Sequence, residues 1–227
     1  MRAAVVIFPG SNCDHDVLHV LRDVVKVQTE AVWHREHLPG GVDLVVLPGG
    51  FSFGDYLRCG AIARTSEVME DVKRHADRGG LVLGICNGFQ ILTEARLLPG
   101  ALTRNAHRRF ECRDVWLHRV ASGPFTNKVP NVIRVPIAHA EGRYQIDDAG
   151  RKRLDDKSLV AFLYCTPEGA ITAEANPNGA MDNIAGIYGG PKKNVLGLMP
   201  HPERLSEKEL GGDDGRSLFE SALAALA

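Results

Sequence analysis

An apolar run at residues 81–85 stops at Cys86 and passes at once into a helical pattern. Glycines stand two residues before and two after the cysteine, in Gly84-Ile85-Cys86-Asn87-Gly88-Phe89-Gln90. A strand that hands over to a helix with no intervening loop needs a very tight turn, where neighbouring Cβ atoms would collide. This is the layout of a nucleophile elbow with cysteine in place of serine. It commits the middle of the chain to a strand inside a sheet with a helix packed back on it. A helix N-terminus also stabilises a thiolate. A free cysteine is more commonly a small buried hydrophobe, and that reading is kept for Cys13, Cys59, Cys112 and Cys165, which have no such glycine frame.

The flanking sequence extends the pattern. Residues 3–8 and 43–47 are further continuous apolar runs, as expected of strands buried on both faces, and 25–32 reads as a short strand. Residues 14–25 place Val17, Leu18, Leu21, Val24 and Val25 at helical spacing. Residues 66–78 read as a helix closed by Gly79-Gly80, and 87–97 as one that ends before Pro99-Gly100. The alternation predicts an α/β fold, with an open, mostly parallel central sheet flanked by helices. The second half differs. Residues 114–120, 132–137, 159–164, 182–188 and 195–199 are strand-like with no long helix between them. They predict additional antiparallel strands and a returning central strand, before a closing helix at 215–226. No repeat or linker divides the chain, so 1–227 reads as one domain.

Composition narrows the functional classes. Twenty-seven basic against 28 acidic residues leave a net charge of −1, which disfavours a general nucleic-acid binder or a polybasic membrane protein. No apolar run approaches the roughly 18–20 residues of a membrane span. The N-terminal apolar stretch ends at Pro9-Gly10 and reads as a strand rather than a signal peptide. Five cysteines, an odd count with no C-x-x-C pair, argue against a disulfide framework or structural zinc and fit a reducing cytoplasm. No metal or nucleotide motif is visible, so no metal site is expected.

A nucleophilic cysteine needs a base and a group to orient it. Of nine histidines, His201 stands out, in Met199-Pro200-His201-Pro202-Glu203-Arg204 directly after an apolar run. The prolines predict an extended segment, in which residues i and i+2 share a side. Glu203 would then hold one nitrogen of His201 while the other faces Cys86. A surface loop with a paired His and Glu fits the same residues. Gly49-Gly50 follows another strand, and the Gly50 and Asn87 N–H groups could form an oxyanion hole; a plain tight turn is the alternative.

Together these residues resemble the triad-type, or class I, glutamine amidotransferases, whose Gly-x-Cys-x-Gly-x-Gln motif is matched from Gly84 to Gln90 and whose His-x-Glu pair is matched by His201 and Glu203. Pro9-Gly10-Ser11-Asn12-Cys13-Asp14, residues 48–63, Pro136-Ile137-Ala138-His139-Ala140-Glu141-Gly142 and Gly212-Asp213-Asp214-Gly215 are similar to the glutaminase subunits of purine biosynthesis. The resemblance implies that L-glutamine is the substrate and Cys86 the thioester-forming nucleophile. It further implies that His201 shuttles protons and that Gln90 binds or supports substrate. It implies partners too: an ATP-dependent synthetase subunit that amidates formylglycinamide ribonucleotide, and a small third subunit. No cofactor is expected in this chain; ATP and Mg2+ are expected on the synthetase. His139 and Glu141 could line the site or the partner face, and 104–109 could dock a partner or be a solvated face. Glutaminases that feed GMP, anthranilate or carbamoyl phosphate synthesis share the three catalytic residue types. Related protease-like and deglycase proteins commonly place His after the cysteine, where this chain has Asn87.

Overall fold

The computed structural model describes residues 1–226. One sheet of nine strands runs through the molecule. Its first half is parallel: β1 (Arg2–Ile7), β2 (Gln28–Trp33), β3 (Leu44–Leu47) and β4 (Leu81–Ile85) pair in the order β2-β1-β3-β4. β3 and β4 are buried along their whole length, as strands covered on both faces must be. The connecting helices are α1 (Asp14–His19), continued by a π-helical turn at Val20–Val24, α2 (Val68–Asp77) and α3 (Asn87–Glu94). α2 turns Val68, Met69, Val72, His75 and Ala76 inward. It stops at Gly79, whose φ of +89° lets its N–H and that of Gly80 cap the last turn on Ala76 O and His75 O.

The second half of the chain contributes β5 (Ala101–Thr103), β6 (Glu111–Arg119), β7 (Val132–His139), β8 (Arg143–Gln145), α4 (Asp148–Asp156), β9 (Val160–Cys165), β10 (Ile184–Gly189), β11 (Val195–Leu198) and α5 (Arg216–Ala225). β11 returns to the middle of the sheet, parallel to β4 and antiparallel to β10, and β9, β6 and β7 follow antiparallel to the edge. The expected parallel core, antiparallel extension and returning strand are therefore all present. β7 alternates buried and half-buried residues, so one face meets the core.

The expectation of no sizeable helix between the late strands is corrected by α4. It buries only Gly150 and Leu154, so it has no apolar stripe to read. It is held by an Asp147 N-cap that accepts the Gly150 N–H at 2.7 Å, and by the i,i+4 pair Lys152–Asp156. β5 and β8, three residues each, form a separate two-stranded sheet. Tyr144 of β8 stacks on Phe89 of α3 with ring centroids 5.9 Å apart. Residues 87–93 of α3 are consequently all buried, and the helix behind the elbow is held from both sides.

Candidate active site

Cys86 stands between β4 and α3 with φ 50° and ψ −104°, a left-handed conformation that a side-chain-bearing residue rarely adopts. The two framing glycines have separate steric reasons. A Cβ at Gly84 would lie 2.7 Å from Gly88 O, and one at Gly88 would run into the carbonyl of Leu47 on β3. The Phe89 and Gln90 N–H groups donate to Cys86 O at 3.0 and 3.2 Å. The amides of Asn87 and Gly88, at the very start of the helix, have no intrahelical acceptor.

Three loops meet the elbow at the C-terminal ends of parallel strands, where open α/β sheets bind ligands. The loop after β3 brings Gly49 and Gly50, the loop after β1 brings Cys13, and the segment after β11 brings His201. Gly49 is their common ground: a Cβ there would sit 2.7 Å from His201 Cε1, 3.0 Å from Cys13 Sγ and 3.4 Å from Cys86 Cβ. Gly50 has φ +135°, and a Cβ on it would lie 2.7 Å from the Asn12 nitrogen. Cys86, Gly50 and His201 line one shared cavity.

His201 Nδ1 and Glu203 Oε1 are 2.6 Å apart, and both side chains are buried. Burial alone would lower the His201 pKa. The Glu203 carboxylate and a charge on Cys86 outweigh it, so the pKa stands well above the ordinary 6.5. His201 Nε2 and Glu203 Oε2 have no hydrogen-bond partner among the described residues. The pairing is as expected, but the backbone is not. Pro202–Leu205 forms a 3-10 turn, so Glu203 reaches His201 from a tight turn rather than through strand alternation. Pro202 favours this turn because its fixed φ suits the first helical position, where no N–H is needed.

Asn87 and Gln90 brace the site. Asn87 Oδ1 accepts the Ser52 N–H at 3.2 Å, and its Nδ2 donates to Gln90 Oε1 at 2.9 Å. Gln90 Nε2 donates to Glu141 O at 2.7 Å, which ties α3 to the loop after β7. β7 is the far edge of the sheet order, yet Pro136 O accepts the His201 N–H at 2.8 Å and Ala138 O lies 3.8 Å from Cys86 Sγ. The antiparallel half therefore curls back over the C-terminal ends of the parallel strands. His139, buried on this wall, has both ring nitrogens without a partner among the described residues. Burial, with the neighbouring His201 charge, lowers its pKa to about 4.

Cys13, read from the sequence as a small buried hydrophobe, is indeed buried, and the structure places it beside His201, with Arg204 Nη2 3.0 Å from its sulfur. The available signal was its place directly after β1, at the same sheet end as the elbow. Donor atoms of Cys13, His201 and Glu203 lie within 4.8 Å of one another, close enough to hold a metal ion. The Arg204 guanidinium at the sulfur opposes a cation there.

Comparisons with known proteins agree with this architecture. The profile of the CobB/CobQ-like glutamine amidotransferase domain matches residues 1–211. A phosphoribosylformylglycinamidine synthase subunit PurQ from Gloeobacter violaceus is 53% identical, covering 99% of this chain and 98% of that protein. The subunit of the same name from Methanosarcina acetivorans is 54% identical, over 97% and 96%. Among solved structures, PurLQS from Thermotoga maritima superposes with a TM-score of 0.85 at 41% identity, covering 100% of this chain and 99% of that one. A protein described as a GMP synthase subunit, from Thermoplasma acidophilum, shares the fold at a TM-score of 0.64 and 18% identity. The chain belongs to the glutamine amidotransferase family and, within it, to the PurQ subunits of phosphoribosylformylglycinamidine synthase.

Proposed function

We propose that the chain hydrolyses L-glutamine with Cys86 as nucleophile, His201 as proton shuttle and Glu203 as the group that orients it. The observation that carries this reading is the convergence of the strained Cys86 elbow and the buried His201–Glu203 pair on Gly49. Cys86 Sγ gives its proton to His201 Nε2 and attacks the side-chain amide carbon. The oxyanion that develops is met by the N–H groups of Gly50 and Asn87, a contribution of about 10²–10³ in rate per donor. His201 returns the proton to the leaving nitrogen, the C–N bond breaks, and ammonia departs from a γ-glutamyl thioester. Water then attacks the thioester with Nε2 as base, and the proton goes back to the Cys86 sulfur as glutamate leaves. Glu203 stays ionised and fixes the tautomer.

The chain works as the glutaminase subunit of phosphoribosylformylglycinamidine synthase, with the ATP-dependent synthetase and a small third subunit as partners. Ammonia passes to the synthetase, which carries the ATP and Mg2+ and converts formylglycinamide ribonucleotide to the amidine. The whole chain, 1–227, acts as one catalytic domain in the cytoplasm. No helix among the described residues is long and apolar enough to cross a membrane. The test is Cys86→Ala in the assembled complex. Glutamine-dependent synthesis should fall at least about 10⁴-fold, while synthesis from added ammonia persists. Loss of both would make Cys86 a structural residue.

A further inference from the structure

Cys13 is held more firmly than a small buried hydrophobe needs to be. Its backbone N–H donates to Gly49 O at 3.4 Å, and its carbonyl accepts the Val17 N–H at 3.1 Å at the start of α1. Its thiol donates to Asn12 Oδ1 at 3.2 Å. The sulfur is then left as an acceptor toward the site, and Arg204 Nη2 meets it at 3.0 Å. Arg204 Nε lies 3.3 Å from Asp16 Oδ2 on α1. A guanidinium is best matched by carboxylate oxygens, and sulfur is a weak acceptor. One arm of Arg204 is nevertheless spent on sulfur. Arg204 shares its 3-10 turn with Glu203, so this contact ties the turn that presents Glu203 to the start of α1.

The location of the sulfur suggests what the contact is for. It lines a cavity of about 250 Å3 together with Cys86 and His201. The sulfur, a His201 ring nitrogen and a Glu203 carboxylate oxygen lie within 4.8 Å of one another. Glu203 holds His201 only at Nδ1, and a ring held by one hydrogen bond is free to tilt about it. Nε2, which must exchange the protons, has no hydrogen-bond partner among the described residues. The ionisable groups around the ring are Glu203 and Arg204 on its own turn, Cys86 on the elbow, Cys13 after β1 and His139 at the end of β7. Burial works against a charged ring. The Glu203 and Cys86 charges support it most, and the Cys13 and Cys86 sulfurs add to that support. Cys86 cannot do so throughout the reaction, because as a thioester its sulfur is acylated and uncharged. The Cys13 sulfur is unchanged by the chemistry.

We propose that Cys13, held by Arg204, is a positioning residue: its sulfur supports the His201 ring and keeps Nε2 in line while water attacks the thioester. The proposal rests on the glutaminase reading of Cys86 and His201. During acylation both sulfurs support the ring; during deacylation only Cys13 does. Loss of Cys13 therefore falls mainly on deacylation.

The experiment follows L-glutamine hydrolysis by the chain assembled with its synthetase. In a reaction through a covalent intermediate, kcat/KM reports the steps up to acylation, and kcat includes deacylation. Cys13→Ala is expected to lower kcat about 10-fold and the KM for L-glutamine by a similar factor, leaving kcat/KM within about twofold of the parent. The γ-glutamyl adduct on Cys86, caught by acid quench and intact-mass spectrometry, should occupy a larger fraction of the variant than of the parent. Cys13→Ser keeps an acceptor for Arg204 and should hold kcat within about threefold of the parent. Parent-like kcat and adduct levels in Cys13→Ala overturn the proposal. So does an equal loss of kcat and kcat/KM without extra adduct, which marks a merely structural residue, and so does a Cys13→Ser variant as impaired as Cys13→Ala. If circular dichroism shows that Cys13→Ala fails to fold, Arg204→Gln, which removes the charge at the sulfur, carries the same comparison and is expected to show the same split. Failure of the underlying glutaminase reading looks different: the unsubstituted complex would form no adduct and release no glutamate.

Discussion

The two halves of the nine-stranded sheet contribute to the site in different ways. The parallel half, β2-β1-β3-β4 with β11, presents strand ends side by side, and all but β2 place a residue at the site: Cys13 after β1, Gly50 after β3, Cys86 after β4 and His201 after β11. The antiparallel half delivers no group that exchanges a proton in the proposed mechanism. It supplies the wall, with Ala138, His139 and Glu141 at the end of β7 and just beyond it. Parallel strands place their carboxyl ends in a row because every crossover returns the chain to the same side. Antiparallel strands have no common end, so the second half reaches the site only by curling its edge strand back over it.

Substitutions in each half sharpen this division. Glu203→Gln keeps the shape of the buried pair and removes the charge that orients His201. Turnover should fall about 10²–10⁴-fold while circular dichroism shows the fold retained; parent-like turnover would take Glu203 out of the mechanism. Gly88→Ala attacks the frame rather than the chemistry. Its methyl would meet the Leu47 carbonyl, a backbone atom that cannot rotate away, so chemical denaturation should show a loss of about 3 kcal/mol. An unchanged midpoint would mean that the elbow is looser than its contacts.

The smallest effect probes the wall. His139 is buried and neutral, with its pKa lowered from 6.5 to about 4. The unfolded chain therefore binds a proton between these values that the folded chain refuses, and stability falls as the pH drops through that window. Between pH 7 and pH 5 this single group should cost about 2 kcal/mol. His201 has the opposite sign: its raised pKa adds stability that is fully present below the unfolded value of 6.5 and is lost as the pH rises through the folded one. His139→Asn should flatten the acid side of the urea-unfolding profile and leave the alkaline side as it was. An acid side as steep as the parent's would assign the loss to other groups.

The same division explains what could be read in advance. The elbow was legible because its requirements are local: an apolar run, a cysteine and two glycines lie within a few residues of one another. The His201–Glu203 pair was legible from its spacing, although the 3-10 turn that brings the two together was not, because prolines suit both an extended segment and the start of a turn. The place of Cys13 at the site is not legible in the sequence, because its neighbours in space, His201 and Arg204, are about 190 residues away, and no local pattern marks such an approach. α4 was missed because it is held by a cap and surface ion pairs rather than an apolar stripe. The curl of β7 was invisible because alternation reports which face is buried, not where the edge of a sheet is carried.

The position of β11 has a consequence for how the molecule is made. It lies between β4 and β10 in space but is the last of all the strands in sequence. Until it emerges from the ribosome, β4 and β10 each present an unpaired edge, the kind of surface that recruits foreign strands. The residue that follows this strand by three positions is His201. One late event therefore closes both open edges and delivers the proposed proton shuttle, so an unfinished chain would carry its proposed nucleophile with no partner to activate it.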